Sequence, residues 1–77
     1  MINKFKWDRC SNGNKKTRIN RKNRYYVIEH HIADVDDFQR FYSIYEYDRN
    51  NTTLSVNVTF SDDTTELYES LSKIISE

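Results

Sequence analysis

The chain has 77 residues, 36% hydrophobic and 14% aromatic, with twelve bases cancelling twelve acids, no proline, one glycine and one cysteine. That length makes one domain with a modest core, and the aromatic content sets it apart from disordered chains. A lone Cys10 excludes an intramolecular disulfide and fits a reducing compartment, and no apolar run approaches a membrane span.

The zero net charge hides two opposed blocks. Lys4, Lys6, Arg9, Lys15, Lys16, Arg18, Arg21, Lys22 and Arg24 share residues 1–24 with a single acid, Asp8, a net of +8; from Tyr25 on, three bases face eleven acids, a net of −8. Such sorting points to a polyelectrolyte partner or to a protein that handles one. Within the first block, Asn3, Phe5 and Trp7 alternate with Lys4, Lys6 and Asp8. The alternation permits a short strand and leaves no apolar stretch of the signal-peptide kind. Asn12-Gly13 is a hairpin-turn dipeptide. From Asn14 to Arg24 the only large apolar residue is Ile19, so this segment reads either as a strand with a solvated face or as a mobile arm.

Tyr25–Ile32 reads as a strand with Tyr26, Ile28, His30 and Ile32 on one face. Ala33-Asp34-Val35-Asp36-Asp37 connects it to Phe38–Tyr47, whose aromatic density favours a strand. There Phe41, Tyr45 and Tyr47 share one face, and Phe38, Tyr42 and Ile44 the other. Asp48-Arg49-Asn50-Asn51 is a turn signal. Leu54, Val56, Val58 and Phe60 then alternate with Ser55, Asn57 and Thr59 as a half-buried strand. Asp63 and Glu66 have the capping-box spacing, and Leu67, Leu71, Ile74 and Ile75 form one apolar helical stripe from about Thr64.

The predicted fold is α+β in one domain, 1–77, divided into a basic segment, 1–24, and a β-β-β-α core, 25–77. A small antiparallel sheet of three strands, or four with one from the N-terminus, carries a C-terminal amphipathic helix. The expected core is Ile28, Phe41 or Tyr42, Leu54, Val56, Val58, Phe60, Leu67, Leu71 and Ile74.

Three groups of residues are candidates for chemistry. Lys15, Lys16, Arg18, Arg21, Lys22 and Arg24, with aromatics nearby, suit phosphate neutralisation and base stacking, though no nucleic-acid-binding motif accompanies them. Asp34, Asp36, Asp37 and Asp48, with Tyr45 and Tyr47, suit contact with a basic groove on a protein; taken singly, each acid is more simply read as solubilising charge. Cys10, His30 and His31 are the only soft or imidazole metal ligands, and a zinc site takes four such groups or three with a carboxylate or water, so Cys10 with one His and acids such as Asp8 or Asp34 could close one. In a strand His30 and His31 point to opposite faces, and no paired-ligand spacing is present. No nucleophile elbow, phosphate loop or His-Glu-x-x-His motif occurs, and no catalytic site can be assembled by role.

In its size, lack of proline, richness in Asn, Lys, Tyr and Asp, and compact sheet with one helix, the chain resembles accessory proteins of bacteriophages and mobile elements. Among these it is similar in style to anti-CRISPR proteins, compact inhibitors that occupy nucleic-acid-handling surfaces of a host nuclease. The resemblance covers the whole chain in size and character; it rests on no motif and carries over no residue. It implies an inhibitor acting by contact in the cytoplasm of a bacterial host. The expected function is therefore a non-enzymatic protein that blocks a nucleic-acid-handling enzyme such as a CRISPR nuclease. The alternative is a small DNA- or RNA-binding regulator using the basic segment, and either version has the option of zinc stabilisation. No membrane role is expected, and the oligomeric state stays open.

Overall fold

The computed structural model describes residues 5–75, so Asn3 and Lys4 of the expected N-terminal alternation lie outside the described residues. The elements are β1 (Asp8–Arg9), β2 (Lys15–Asn20), β3 (Arg24–His31), a 3-10 turn (Asp37–Gln39), β4 (Phe41–Asp48), β5 (Thr53–Val58) and α1 (Thr64–Ile74). The five strands form one antiparallel meander in the order β1-β2-β3-β4-β5. The architecture is the α+β class read from the sequence, with two strands from the basic segment. β2 pairs with β3 along its whole length, from Lys15 opposite His30 to Asn20 opposite Tyr25. Of the two readings of that segment, the structure has the strand.

Local chemistry sets the turns. At the β1–β2 turn, Cys10 N–H donates to the Asn14 carbonyl at 2.8 Å and Gly13 N–H donates to the Cys10 carbonyl at 3.0 Å. Gly13 has φ 93, and a β-carbon there would lie 3.0 Å from the Ala33 β-carbon, so glycine answers both demands. At the β4–β5 turn, the Asp48 carboxylate accepts from the amides of Asn50 (2.8 Å) and Thr52 (2.9 Å), while Asn51 takes φ 66. This is the Asx-turn chemistry that favours Asp and Asn at such positions. Phe38 does not open β4: it lies in the 3-10 turn, 81% exposed, and the strand starts at Phe41.

Helix α1 begins as its spacing predicts. Asp63 is the N-cap and accepts from Thr65 N–H at 2.9 Å. Glu66 does not return to the cap residue. Its carboxylate accepts from the amides of Phe60 and Ser61 and from the Ser61 hydroxyl, which ties the first turn to the preceding connection. Asp63→Ala should cost about 0.5–2 kcal/mol. A thermal melt coincident with the wild type would show that the cap contributes nothing.

The helix covers one face of the sheet. Strand alternation sends Thr17 and Ile19, Tyr26, Ile28 and His30, and Tyr42, Ile44 and Glu46 to that face. The core is Ile19, Tyr26, Ile28, Tyr42, Ile44, Leu67 and Leu71, with Phe5, Trp7, Ile74 and Ile75 packed at its margin. Trp7 lies against Tyr42 and His30, and Phe5 against Trp7 and Tyr68, so this stretch of the basic segment is part of the packed layer.

The main correction concerns β5. Leu54, Val56, Val58 and Phe60, expected in the core, are 43, 55, 64 and 95% exposed. Tyr45 pairs with Val56 and Ser43 with Val58, and both β4 residues point away from the helix. Paired residues share a face, so the apolar positions of β5 follow them to the uncovered side. Alternation shows that a strand has an apolar side; it does not show which side of the sheet a later helix will cover.

The meander also defines two ends. The β2–β3 and β4–β5 turns lie at one, with Arg21, Lys22, Arg24 and Arg49. The β3–β4 and β5–α1 connections lie at the other, with Asp34, Asp36, Asp37, Asp62 and Asp63.

Candidate functional site

The face opposite the helix carries rows of residues set by strand register. Arg18, Val27, Tyr45 and Val56 form one row, and Asn20, Tyr25, Tyr47 and Thr53 the next. Among the described residues no helix covers this face, and toward its acidic end Glu29 and Ser43 are buried beside Asn14 and His31. Tyr25 and Tyr47 stack across β3 and β4 at 4.9 Å between ring centroids, and Tyr45 and Tyr47 stack along β4 at 6.4 Å. The Arg18 guanidinium lies 3.9 Å from the Tyr25 ring centroid, a cation–π contact. The Tyr25 hydroxyl donates to Asn51 Oδ1 at 2.6 Å.

This arrangement decides what the face can bind. Tyr25 is covered by Arg18 from β2 and by Tyr47 from β4, so its ring faces are already occupied. Edges and apolar side chains remain for a partner. That suits an irregular protein surface better than a row of nucleobases, which needs free ring faces.

An open cleft of about 260 Å³ at the basic end joins Arg18, Arg21, Arg24 and Arg49 around Tyr25. Arg18 Nε donates to Asn20 Oδ1 at 2.9 Å, Arg21 to the Asn20 carbonyl at 3.2 Å, and Arg49 Nε and Nη2 both to the Lys22 carbonyl. These carbonyl and amide acceptors orient the guanidinium groups. Arg24 differs: it pairs with Glu46 at 2.6 Å, which raises its pKa by hydrogen bonding and then by charge attraction. Lys16 and Arg18 point to the open face, Lys15 and Arg24 to the helix side, and Arg21 and Lys22 lie in the turn. Arg49 and Asn51 were not among the expected site residues; they reach the cleft only because the two turns lie side by side.

The four expected acids are not one patch. Asp34, at φ 60, and Asp36 lie in the β3–β4 connection, where Asp37 pairs with Arg40 at 3.1 Å. Asp48 is at the opposite end and serves the turn. Tyr45 and Tyr47, by contrast, stand together on the open face.

Two buried carboxylates anchor the sheet. Glu46 accepts from Arg24, from Ser55 at 2.8 Å and from Tyr26 at 3.3 Å. Burial works to raise its pKa, but the Ser55 and Arg24 hydrogen bonds and the Arg24 charge outweigh it and hold the group below its ordinary value of 4.5. Glu29 is also lowered: burial opposes ionisation, and hydrogen bonds from Asn14 (2.9 Å) and Asn12 prevail. A carboxylate with a depressed native pKa contributes stability that is present above its unfolded pKa and lost as pH falls through the native one. The protein should therefore lose stability as pH drops below the ordinary value of 4.5, and Glu46→Gln should flatten that dependence. Parallel melting profiles of the two proteins across this window would contradict it.

A polar cluster around His31 was not foreseen. His31 Nε2 lies 2.8 Å from Ser43 Oγ, and its Nδ1 lies 3.4 Å from Asn14 Nδ2. The Asn14 amide oxygen accepts from the amides of Ile32 and Ala33, which fixes its nitrogen as the donor. His31 thus bridges the Asn14 side-chain amide and the Ser43 hydroxyl through its two ring nitrogens.

The zinc expectation on Cys10, His30 and His31 lacks a converging donor set. Cys10 sits in the β1–β2 turn, and His30 stacks on Tyr42 at 4.5 Å with Nε2 3.2 Å from Asp62. His31, on the other face, stacks on Phe41 at 4.3 Å. Among the described residues no group of three His, Cys, Asp or Glu side chains is placed to hold a metal ion. Among them, too, no helix is long and apolar enough to cross a membrane.

Comparison with family models, curated proteins and solved structures finds no match to this chain.

Proposed function

We propose that this is a non-enzymatic binding protein that acts by contact through the uncovered face of its sheet. Its proposed target is a protein that itself handles nucleic acid, such as a CRISPR nuclease, in the cytoplasm of a bacterial host. The observation that carries the reading is the aromatic and apolar row of Tyr25, Tyr47, Tyr45, Val27 and Val56 on a face that no helix covers among the described residues. A contiguous patch of this kind on a small domain marks an interaction site. Tyrosine and arginine are also the residues that dominate binding energy at protein interfaces. The rings are locked by stacking, so little ordering cost is incurred on binding. The charge sorting and the similarity in character to anti-CRISPR proteins support the target class. Asp34 and Asp36, exposed at the acidic end, would steer encounter with a basic groove.

The four-arginine cleft supports a second reading, direct binding of a nucleic-acid backbone. One experiment separates the two. The protein is used to capture partners from a bacterial lysate with and without nuclease treatment, and is titrated in parallel with a labelled oligonucleotide at several salt concentrations. The first reading expects a protein that survives nuclease treatment and little oligonucleotide affinity. Loss of all captured protein after nuclease, with steeply salt-dependent oligonucleotide binding that Arg18→Glu and Arg21→Glu abolish, would replace it with the second.

A further inference from the structure

We propose that β5 pairs with β5 of a second copy across a two-fold axis at Val56, making a dimer with one continuous sheet. In the order β1-β2-β3-β4-β5, strand β5 has a neighbour on one side only among the described residues. Thr59 N–H donates to the Tyr42 carbonyl at 2.9 Å, so the groups bonded to β4 belong to Thr59, Asn57 and Ser55 by alternation. The backbone N–H and C=O groups of Val58 and Val56 therefore face outward, and Leu54 follows them along the edge at the register shift opposite Glu46 and Tyr47.

That edge has a register shift opposite Glu46 and Tyr47 but no charged guard. Between Arg49 and Asp62 no residue is charged and none is proline, whereas exposed edges are normally blunted by Lys, Pro or other charges. The other side of the sheet follows that rule: β2 carries Lys15, Lys16 and Arg18 and is capped in part by the two residues of β1. Pairing through β5 thus closes at two copies, as an isologous interface does.

The strand is also complementary to itself. An antiparallel two-fold at Val56 sets Val56 against Val56, Leu54 against Val58, Ser55 against Asn57 and Thr53 against Thr59. Its centre is one of the outward-facing residues, so Leu54, Val56 and Val58 each meet a partner with which they exchange both backbone bonds. The side chains of Val56 and Val58 lie on the uncovered face, where they meet apolar residues of the second copy. The charges agree with this orientation. The arginine-rich end of one copy, at the start of β5, comes to lie beside the Asp62–Asp63 end of the other.

The test is sedimentation equilibrium with amide exchange measured by NMR on the full chain, from micromolar to millimolar concentration. The wild type should reach twice the 9.4 kDa chain mass, with exchange at Leu54, Val56 and Val58 slowing as concentration rises. Val56→Lys places like charges together at the axis on an exposed position. It should keep the circular dichroism of the folded chain and stay monomeric at concentrations where the wild type is dimeric. A wild type that stays monomeric at millimolar concentration overturns the proposal, as does a dimer whose three edge amides exchange as fast as in the monomer. Both are read on the wild type, so they stand even if the variant fails to fold.

Discussion

Ile44→Ala should destabilise the protein by about 2–5 kcal/mol, whereas Val56→Ala should cost less than about 0.5 kcal/mol in dilute solution. Both residues occupy apolar positions of adjacent strands, and the sequence places Val56 in the core. The register separates them. Ile44 pairs with Ile28 and faces the helix, with 0% exposure, inside the cluster that includes Leu67 and Leu71. Removing its branched side chain leaves a void that neighbours on two strands and a helix cannot all close. Val56 pairs with Tyr45 on the other face and is already 55% exposed. A small domain has only a few kcal/mol in reserve, so Ile44→Ala should be largely unfolded at moderate urea. Urea titrations of the two variants at one pH read the difference. Equal midpoints would mean that the helix covers the opposite face.

Tyr47→Ala and Tyr45→Ala should each weaken partner capture about 30-fold, the equivalent of about 2 kcal/mol for a central aromatic contact. Tyr47 is the pivot of the row, in contact with Tyr25 on one strand and Tyr45 on its own. Its removal deletes contact area and frees Tyr25 to move, so ordering cost is added to lost contact. Tyr47→Phe keeps the stack and should retain most of the affinity. Lys73→Ala, exposed on the last turn of the helix, serves as the control and should leave capture unchanged. Binding isotherms against the captured protein give these ratios directly. If Lys73→Ala is more damaging than Tyr47→Ala, the helix and not the sheet is the contact surface.

Much of the fold was legible because its signals are local. Asn12-Gly13, the Asp48 turn, the Asp63 cap and the Leu67–Leu71 stripe each depend on residues a few positions apart, and each forms as its chemistry requires. The segment holding β2 reads equally as strand or arm because Ile19 is the one large apolar residue on its buried side; the full ladder to β3 supplies the rest. The polarity of β5 was not legible, since it depends on which face the helix covers, a decision made by Ile28, Ile44 and Leu67 at a distance. The candidate surface was legible in part. Tyr45 and Tyr47 were identified and stand together, while the acids grouped with them by sequence divide between the ends of the sheet. Arg49 joins Arg18, Arg21 and Arg24 through the meander alone, a non-local juxtaposition that no spacing rule reveals. Asn14 and Ser43 gave no signal for the same reason: their meeting around His31 needs three elements in register.

The most direct measurement of the central claim, that the uncovered sheet face is the contact surface, is NMR shift mapping of the labelled protein titrated with its captured partner. The largest perturbations should fall on Arg18, Tyr25, Val27, Tyr45 and Tyr47, with the outward positions of the helix, Tyr68, Glu69 and Lys73, unmoved. Perturbations concentrated on those helix positions, with the tyrosine row silent, would contradict it.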